Sequence, residues 1–181
     1  MTGRTEPHDA AVRPAFGIPP PLVGLALIGA GLAIAFVVPQ PLFPEGWWPL
    51  AVGLPLVALG IGLAARSVQT FRRAGTDERY AEPTSVIVQH RPYARTRNPM
   101  MLSLVLIHAG VLLAANAGWG LVTVPILILY LHLGVISREE HYLKARFGDE
   151  YESYAKRVPR WIPRLRTSPE SVDRGAARAA R

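Results

Sequence analysis

Residues 98–137 read NPMMLSLVLIHAGVLLAANAGWGLVTVPILILYLHLGVIS, forty positions between Arg97 and Arg138 without a lysine, arginine, aspartate or glutamate. The only titratable side chains in the run are His108, Tyr130 and His132. A helix exposed to water needs a polar face, and this run offers none. As a single helix rising about 1.5 Å per residue it would be about 60 Å long, twice the roughly 30 Å of a bilayer's hydrocarbon core. It must therefore turn. Asn116-Ala117-Gly118 is the natural place, because Asn and Gly tolerate turn dihedrals and Trp119 suits a membrane interface. The run thus divides into spans near Met100–Ala115 and Trp119–Ile136, an antiparallel hairpin whose two charged ends lie side by side.

Two further uncharged runs precede it. No ionisable residue lies between Arg13 and Glu45, or from Gly46 to Ala65. Each holds one span of about 20 residues, near residues 20–38 and 47–65. The fold class expected is all-α and integral to the membrane, with about four transmembrane helices; a fifth requires one run to break in two. Residues 1–18 read as a flexible polar lead rather than a cleavable signal. Residues 19–163 form the membrane domain, and the Arg-, Ala- and Ser-rich residues 164–181 a disordered tail. Ala58 and Gly62 in the second span make a small-x-x-x-small pattern, a weak signal for close helix packing.

Charge sets the expected orientation. Seven arginines fall in Arg66–Arg97 and eleven Lys/Arg follow Ile136, while the loops around Glu45 and Asn116 carry none. By the positive-inside rule the middle loop and both termini are cytoplasmic. The net charge of +7 is then a topology signal and an attraction for anionic membrane lipids rather than for nucleic acid. The absence of cysteine excludes disulfides, thiolate metal sites and cysteine nucleophiles. His108 and His132 have no carboxylate beside them in the membrane, so they read as interhelical hydrogen-bonding residues, with no metal site expected.

Beyond the fourth span the helix should continue through Ser137–Phe147 and stop at Gly148. Asp149 then caps a short cytoplasmic helix that presents Tyr151, Tyr154, Val158 and Trp161 on one face. At the other end of the hairpin, Asn98 is placed to N-cap the third span, with Pro99 in its first turn. Two charged clusters therefore meet at the boundary: Tyr93-x-x-x-Arg97-Asn98-Pro99, and Arg138-Glu139-Glu140. The plainest reading of them is an ion pair in which Arg97 or Arg138 neutralises Glu139 and anchors the helices.

The combination is nevertheless specific. Arg97-Asn98-Pro99 ahead of one span, Glu139-Glu140 after the next, then Phe147-Gly148-Asp149-Glu150-Tyr151, Tyr154 and Arg157-Val158-Pro159 resemble the isoprenylcysteine carboxyl methyltransferase and phospholipid methyltransferase group of membrane enzymes. Phe71-x-x-Ala74-Gly75-Thr76 resembles that group's entry to the cytoplasmic loop. The resemblance covers about Phe71 to Pro163. It implies S-adenosyl-L-methionine as cofactor, held without a Rossmann fold, and a lipophilic acceptor, either a prenyl-type carboxylate or a lipid amine. Carried over, the implied cofactor-binding residues are Val86, Ile87, Val88, Tyr93, Asn98, Pro99, Met100, Met101 and Glu139. Arg97, Arg138 and Glu140 are candidates for the catalytic step. Three positions depart from the pattern: Arg91 replaces a glycine, Met101 an aromatic residue, and Val135 the arginine that would hold a prenylcysteine carboxylate. Two alternatives are a membrane NADPH-dependent reductase of the sterol-reductase type and a non-enzymatic scaffold or transporter.

Overall fold

Pro19-Pro20 opens the first described helix of the protein, whose computed structural model describes residues 18–73 and 87–162. Proline suits a first helical turn, where its missing N–H would be unpaired in any case. Helix α1 is Pro20–Val37 and α2 is Trp48–Arg73. Helix α3, Pro99–Ala114, again starts on a proline. A 3₁₀ turn at Trp119–Val122 leads into α4, Thr123–Leu129, and a π-helical stretch, Tyr130–Ile136. The same rod continues as α5, Ser137–Phe147, and α6 is Asp149–Arg157. No strand occurs among the described residues. The polar lead before residue 18, Ala74-Gly75-Thr76 of the loop entry and the tail from residue 164 lie outside the described residues.

Three of these helices, Pro20–Val37, Trp48–Arg73 and Trp119–Phe147, are long and apolar enough to cross a membrane. The third expected span is shorter. Helix α3 has 16 residues, so it is about 24 Å long against a core of about 30 Å. The outward faces are greasy as a lipid-facing surface must be: Leu22, Leu25, Phe36, Leu54, Leu59, Leu129 and Leu133 are all exposed.

The close helix contact is not where the small-residue pattern in α2 suggests. Gly62 faces open space. Gly53 and Gly60, two turns apart on another face, meet α3. A methyl group on Gly53 would come within 2.4 Å of the Ala114 nitrogen and 2.5 Å of the Gly110 carbonyl oxygen. One on Gly60 would lie 2.9 Å from the Ser103 carbonyl, and one on Gly110 2.8 Å from that of Gly53. Backbone therefore touches backbone along the whole α2–α3 seam, the packing that membranes favour because lipid offers no hydrophobic drive to association.

The turn expected at Asn116-Ala117-Gly118 is present, and it also ties the two hairpins together. Asn116 adopts φ +52°. Its Oδ1 accepts from the Leu42 and Phe43 nitrogens at 2.8 and 2.9 Å, and its Nδ2 donates to the Phe43 carbonyl at 3.0 Å. The Gly118 N–H donates to the Gln40 carbonyl at 3.0 Å, where a Cβ would intrude to 2.2 Å. Inside the bundle His108 Nε2 meets Thr123 Oγ1 at 2.8 Å, an interhelical bond of the kind expected. His132 behaves differently. It reaches no other span, bonding instead to the segment after α6.

The α2–α3 seam gives a direct test. Gly53→Ala forces overpacking that costs about 1–3 kcal/mol, whereas Gly62→Ala meets nothing and gains up to about 1 kcal/mol of helix propensity. Thermal unfolding in detergent should show a lowered midpoint for the first and an unchanged or raised midpoint for the second. Equal effects would contradict this seam.

Candidate functional site

Helix α5 leaves the apolar run at Ser137, so its first turn carries Glu139 and Glu140 at the level where α3 begins. The π-helical stretch before it is marked by Ser137 Oγ donating to the His132 carbonyl at 2.7 Å. A stretch wound this way re-aims the side chains it carries, and such segments recur at functional sites. Gly148, with φ +50°, breaks the rod and lets α6 fold back. The break makes Gly148, rather than Asp149, the residue preceding α6, and neither offers a side-chain cap.

Helix α6 buries Tyr151, Tyr154 and Val158 against Ile87, Leu143 and Phe147. Trp161, expected on the same face, belongs elsewhere. The chain becomes extended at Val158, and Trp161 packs into the membrane-side core of Met101, Leu127, Leu131 and Ile136. The doubling-back lays residues 159–161 across the entry of α3. There the Arg97 N–H donates to the Pro159 carbonyl at 2.9 Å. The Arg160 carbonyl accepts from Thr96 Oγ1 and from Asn98 Nδ2, both at 3.1 Å. Asn98 thus occupies the N-cap position of α3 without capping it through its side chain.

At the centre stands Glu140. Arg97 Nη1 approaches its Oε1 at 2.9 Å, Arg160 Nε donates to Oε1 at 3.0 Å, and Arg160 Nη2 contacts Oε2. Arg97 Nη1 also reaches the Tyr151 hydroxyl at 3.2 Å. The ion pair at the boundary is therefore made by Glu140, not by Glu139, and Arg138 is exposed and takes no part. Among the described residues Glu139 has no cationic partner. It is half-buried, and burial together with the adjacent Glu140 charge pushes its carboxyl up to about 7. Burial, with the Glu140 charge added, also raises the Tyr151 hydroxyl. Arg97 Nε is buried without a hydrogen-bond partner.

A cleft of about 460 Å³ opens beside this cluster, with Arg97, Glu140, His141, Tyr151, Lys156 and Arg160 in its wall. A second cavity, of about 640 Å³, lies between the end of α2 and the following loop, lined by Thr70, Arg73, Ile87, Val88, His90 and Arg91. Of the residues singled out from the sequence, Arg97 and Glu140 line the cleft and Ile87 and Val88 the second cavity, while Glu139, Tyr93, Asn98, Pro99, Met100 and Met101 line neither. Val86 lies outside the described residues. Tyr93 is buried, its ring edge-on to Phe71 at 5.0 Å and its carbonyl accepting from the Tyr154 hydroxyl at 2.8 Å. Pro99 and Met101 are buried, Met101 within the apolar core, and Met100 is partly buried. Arg97, Asn98 and Glu140 meet around Arg160.

Arg160 and His132 are the participants that sequence reasoning missed. Arg160 follows Pro159 at the edge of the motif, and only the doubling-back of the chain carries it to Glu140. His132 packs beside it: Trp161 Nε1 donates to His132 Nδ1 at 3.2 Å, which leaves Nε2 as the ring N–H, and Arg160 Nη1 lies 3.1 Å from it as a packing contact.

Comparison with known proteins bears on what this boundary cluster is for. A 63-residue stretch is 41% identical to an uncharacterized protein of Haemophilus influenzae, covering 35% of this chain and all of that one. Protein-S-isoprenylcysteine O-methyltransferase B of Arabidopsis thaliana is 27% identical over 132 residues, covering 72% of this chain and 67% of that protein. No solved structure matches. The sequence profile described as phospholipid methyltransferase matches residues 48–150, from the start of α2 into α6 and so over more than half of the chain. With the Arg97, Glu139 and Glu140 boundary inside that match, the chain belongs to the phospholipid methyltransferase family.

Proposed function

We propose that this membrane protein transfers a methyl group from S-adenosyl-L-methionine to a lipophilic acceptor at the cytoplasmic boundary of the bilayer. The observation that carries this reading is the inequality of two neighbouring acids. Glu140 is committed to two guanidinium groups, while Glu139, equally close to the boundary, has no counter-ion among the described residues. An uncompensated, half-buried carboxylate is unfavourable unless it is used.

The residues present fit the cofactor. Its amino-acid end carries an ammonium and a carboxylate, and the boundary offers one complement to each: Glu139, and Arg97 with its buried, unpartnered Nε. We assign Glu139 to the ammonium and Arg97 to the carboxylate. When bound, the cofactor supplies a methyl group already activated on a sulfonium. The chain has then to align an acceptor with that methyl and keep water away, which needs no elaborate acid–base set. The remaining expected contacts (Val86, Ile87, Val88, Tyr93, Asn98, Pro99, Met100 and Met101) belong to the same proposal.

For the acceptor, the position four residues before Glu139 is informative. Val135 packs against the apolar core of Met101, Leu131 and Ile136 and offers no cation. This favours a lipid amine over a prenyl-type carboxylate. Such an acceptor enters from the bilayer, where each buried CH₂ contributes about 0.8 kcal/mol to partitioning. The reading also places the Arg66–Arg97 loop and both termini in the cytoplasm, following the positive charge.

Calorimetric titration of the purified protein with S-adenosylhomocysteine tests the proposal. Glu139→Gln keeps the shape and removes the charge, so affinity should fall on the order of 10- to 150-fold, the equivalent of about 1.5–3 kcal/mol. Its thermal midpoint should hold or rise above about pH 7, because the variant no longer carries an unpaired, half-buried charge. Wild-type protein that binds NADPH and not S-adenosylhomocysteine would replace this reading with the reductase.

Acidity provides a second test. The ammonium binds the carboxylate form, and the Glu139 carboxyl is raised to about 7. Affinity should therefore be full above that value and decline as pH falls through it. Between about pH 8 and about pH 6 the loss should be about tenfold in the wild type, with a flat profile in Glu139→Gln. A wild-type profile as flat as that of the variant would remove Glu139 from the site.

A further inference from the structure

Arg97 and Arg160 share one carboxylate unequally. Arg160 takes both oxygens of Glu140, through Nε at 3.0 Å to Oε1 and through Nη2 to Oε2. Arg97 reaches Oε1 alone, through Nη1 at 2.9 Å, and the same nitrogen serves the Tyr151 hydroxyl. A guanidinium and a carboxylate left to themselves close fork to fork, with two parallel hydrogen bonds. Arg97 does not: it meets Glu140 through Nη1 alone, while Nε, on the other edge of the guanidinium, is buried without a partner. Both oxygens of Glu140 are already taken by Arg160.

Arg160 is itself held in place from several directions. Its carbonyl accepts from Thr96 and Asn98, and the Arg97 N–H bonds to the preceding Pro159 carbonyl. Its Nη1 packs against His132, whose Nδ1 accepts the Trp161 N–H. Both guanidinium groups are thus referred to one backbone junction, where α3 begins and the chain doubles back after α6. Two cations against one anion leave this end of the cleft with an excess positive charge.

We infer that Arg160 is a positioning residue: by occupying the fork of Glu140 it prevents Arg97 from closing end-on through Nη1 and Nη2, and leaves the Nε–Nη2 edge of Arg97 uncommitted for the carboxylate of its ligand. The inference rests on the assignment of Arg97 to the cofactor carboxylate. It differs from a purely structural role in one consequence. If Arg160 works by competing for Glu140, then removing the Glu140 charge as well makes Arg160 dispensable.

The full chain in detergent, titrated with S-adenosylhomocysteine, reads that consequence. Arg160→Ala should weaken binding about tenfold or more, the scale of a lost charge-assisted contact. Arg160→Lys, which supplies charge without a fork, should recover only part of the loss. The double variant Arg160→Ala/Glu140→Gln should return affinity to within about threefold of wild type, a strongly non-additive cycle. A double variant as weak as Arg160→Ala, or weaker, would overturn the inference, because loss of a mere strap is not repaired by a second lesion.

A ligand-free readout separates this outcome from failure of the cofactor assignment. In protein labelled with ¹⁵N-arginine, the side-chain resonances of Arg97, identified by Arg97→Lys, should change to those of a bidentate pair in Arg160→Ala and revert in the double variant. Should Arg160→Ala not fold, Arg160→Lys gives the same comparison with a smaller change. Wild-type protein that fails to bind S-adenosylhomocysteine sinks the cofactor reading, and the Arg97 resonances then decide the positioning alone. Resonances indifferent to residue 160 would refute it.

Discussion

A carboxylate shared by two arginines holds together the boundary of this protein. Glu140 lies at the start of α5, Arg97 just before α3, and Arg160 beyond α6, so one side chain gathers three separate parts of the chain. The environment gives this its weight. Arg97 and Glu140 keep only 15% and 16% of their side-chain surface exposed. Charges so placed are costly when unpaired, and deleting one partner of such a group leaves the others stranded. The backbone bonds of Arg97 to Pro159, and of Thr96 and Asn98 to Arg160, run alongside the ionic contacts. Each set keeps the other in register.

That gathering follows from the bilayer before it follows from chemistry. A forty-residue run without charge has to turn, and a run that turns once returns its charged ends to the same side. For this reason the hairpin, its Asn116 turn and the short helix after Gly148 are all legible in the sequence. They depend on length, hydropathy and turn residues, which are local. The contact of Gly53, Gly60 and Gly110 is not local. It depends on which faces of two helices meet, and the Ala58/Gly62 pattern, equally plausible on paper, faces open space. Arg160 and His132 escape for the same kind of reason. They lie 28 residues apart and meet only because the chain reverses at Gly148 and becomes extended at Val158.

Two adjacent glutamates illustrate how far a motif can be read. Successive residues of a helix point about 100° apart, so Glu139 and Glu140 cannot face the same neighbours. The sequence announces an acidic pair at a membrane boundary, where one acid at least must be neutralised. It does not say which. Reading Glu139 as the ion-pair member reverses the actual division, in which Glu140 takes both cations and Glu139 remains without one. The reversal strengthens the functional reading, since a carboxylate already committed to two arginines has little capacity left for a ligand.

The location of the cluster also bears on how two unlike ligands can meet. On the proposed reading the cofactor is soluble and comes from the cytoplasm, and the acceptor is greasy and comes from lipid. Only the plane where the apolar run ends is open to both. The wall of the cleft reflects one half of this arrangement, with Arg97, Lys156 and Arg160 among its lining side chains. The exposed leucines of α1, α2 and α4 reflect the other. A site deeper in the bundle would have to desolvate the cofactor's charges at a cost of several kcal/mol per ion. A site further into the cytoplasm would have to pull each acceptor chain out of the bilayer at about 0.8 kcal/mol per CH₂. Both costs are least where Ile136 gives way to Glu139, which is where the chain places its one uncommitted acid among the described boundary residues.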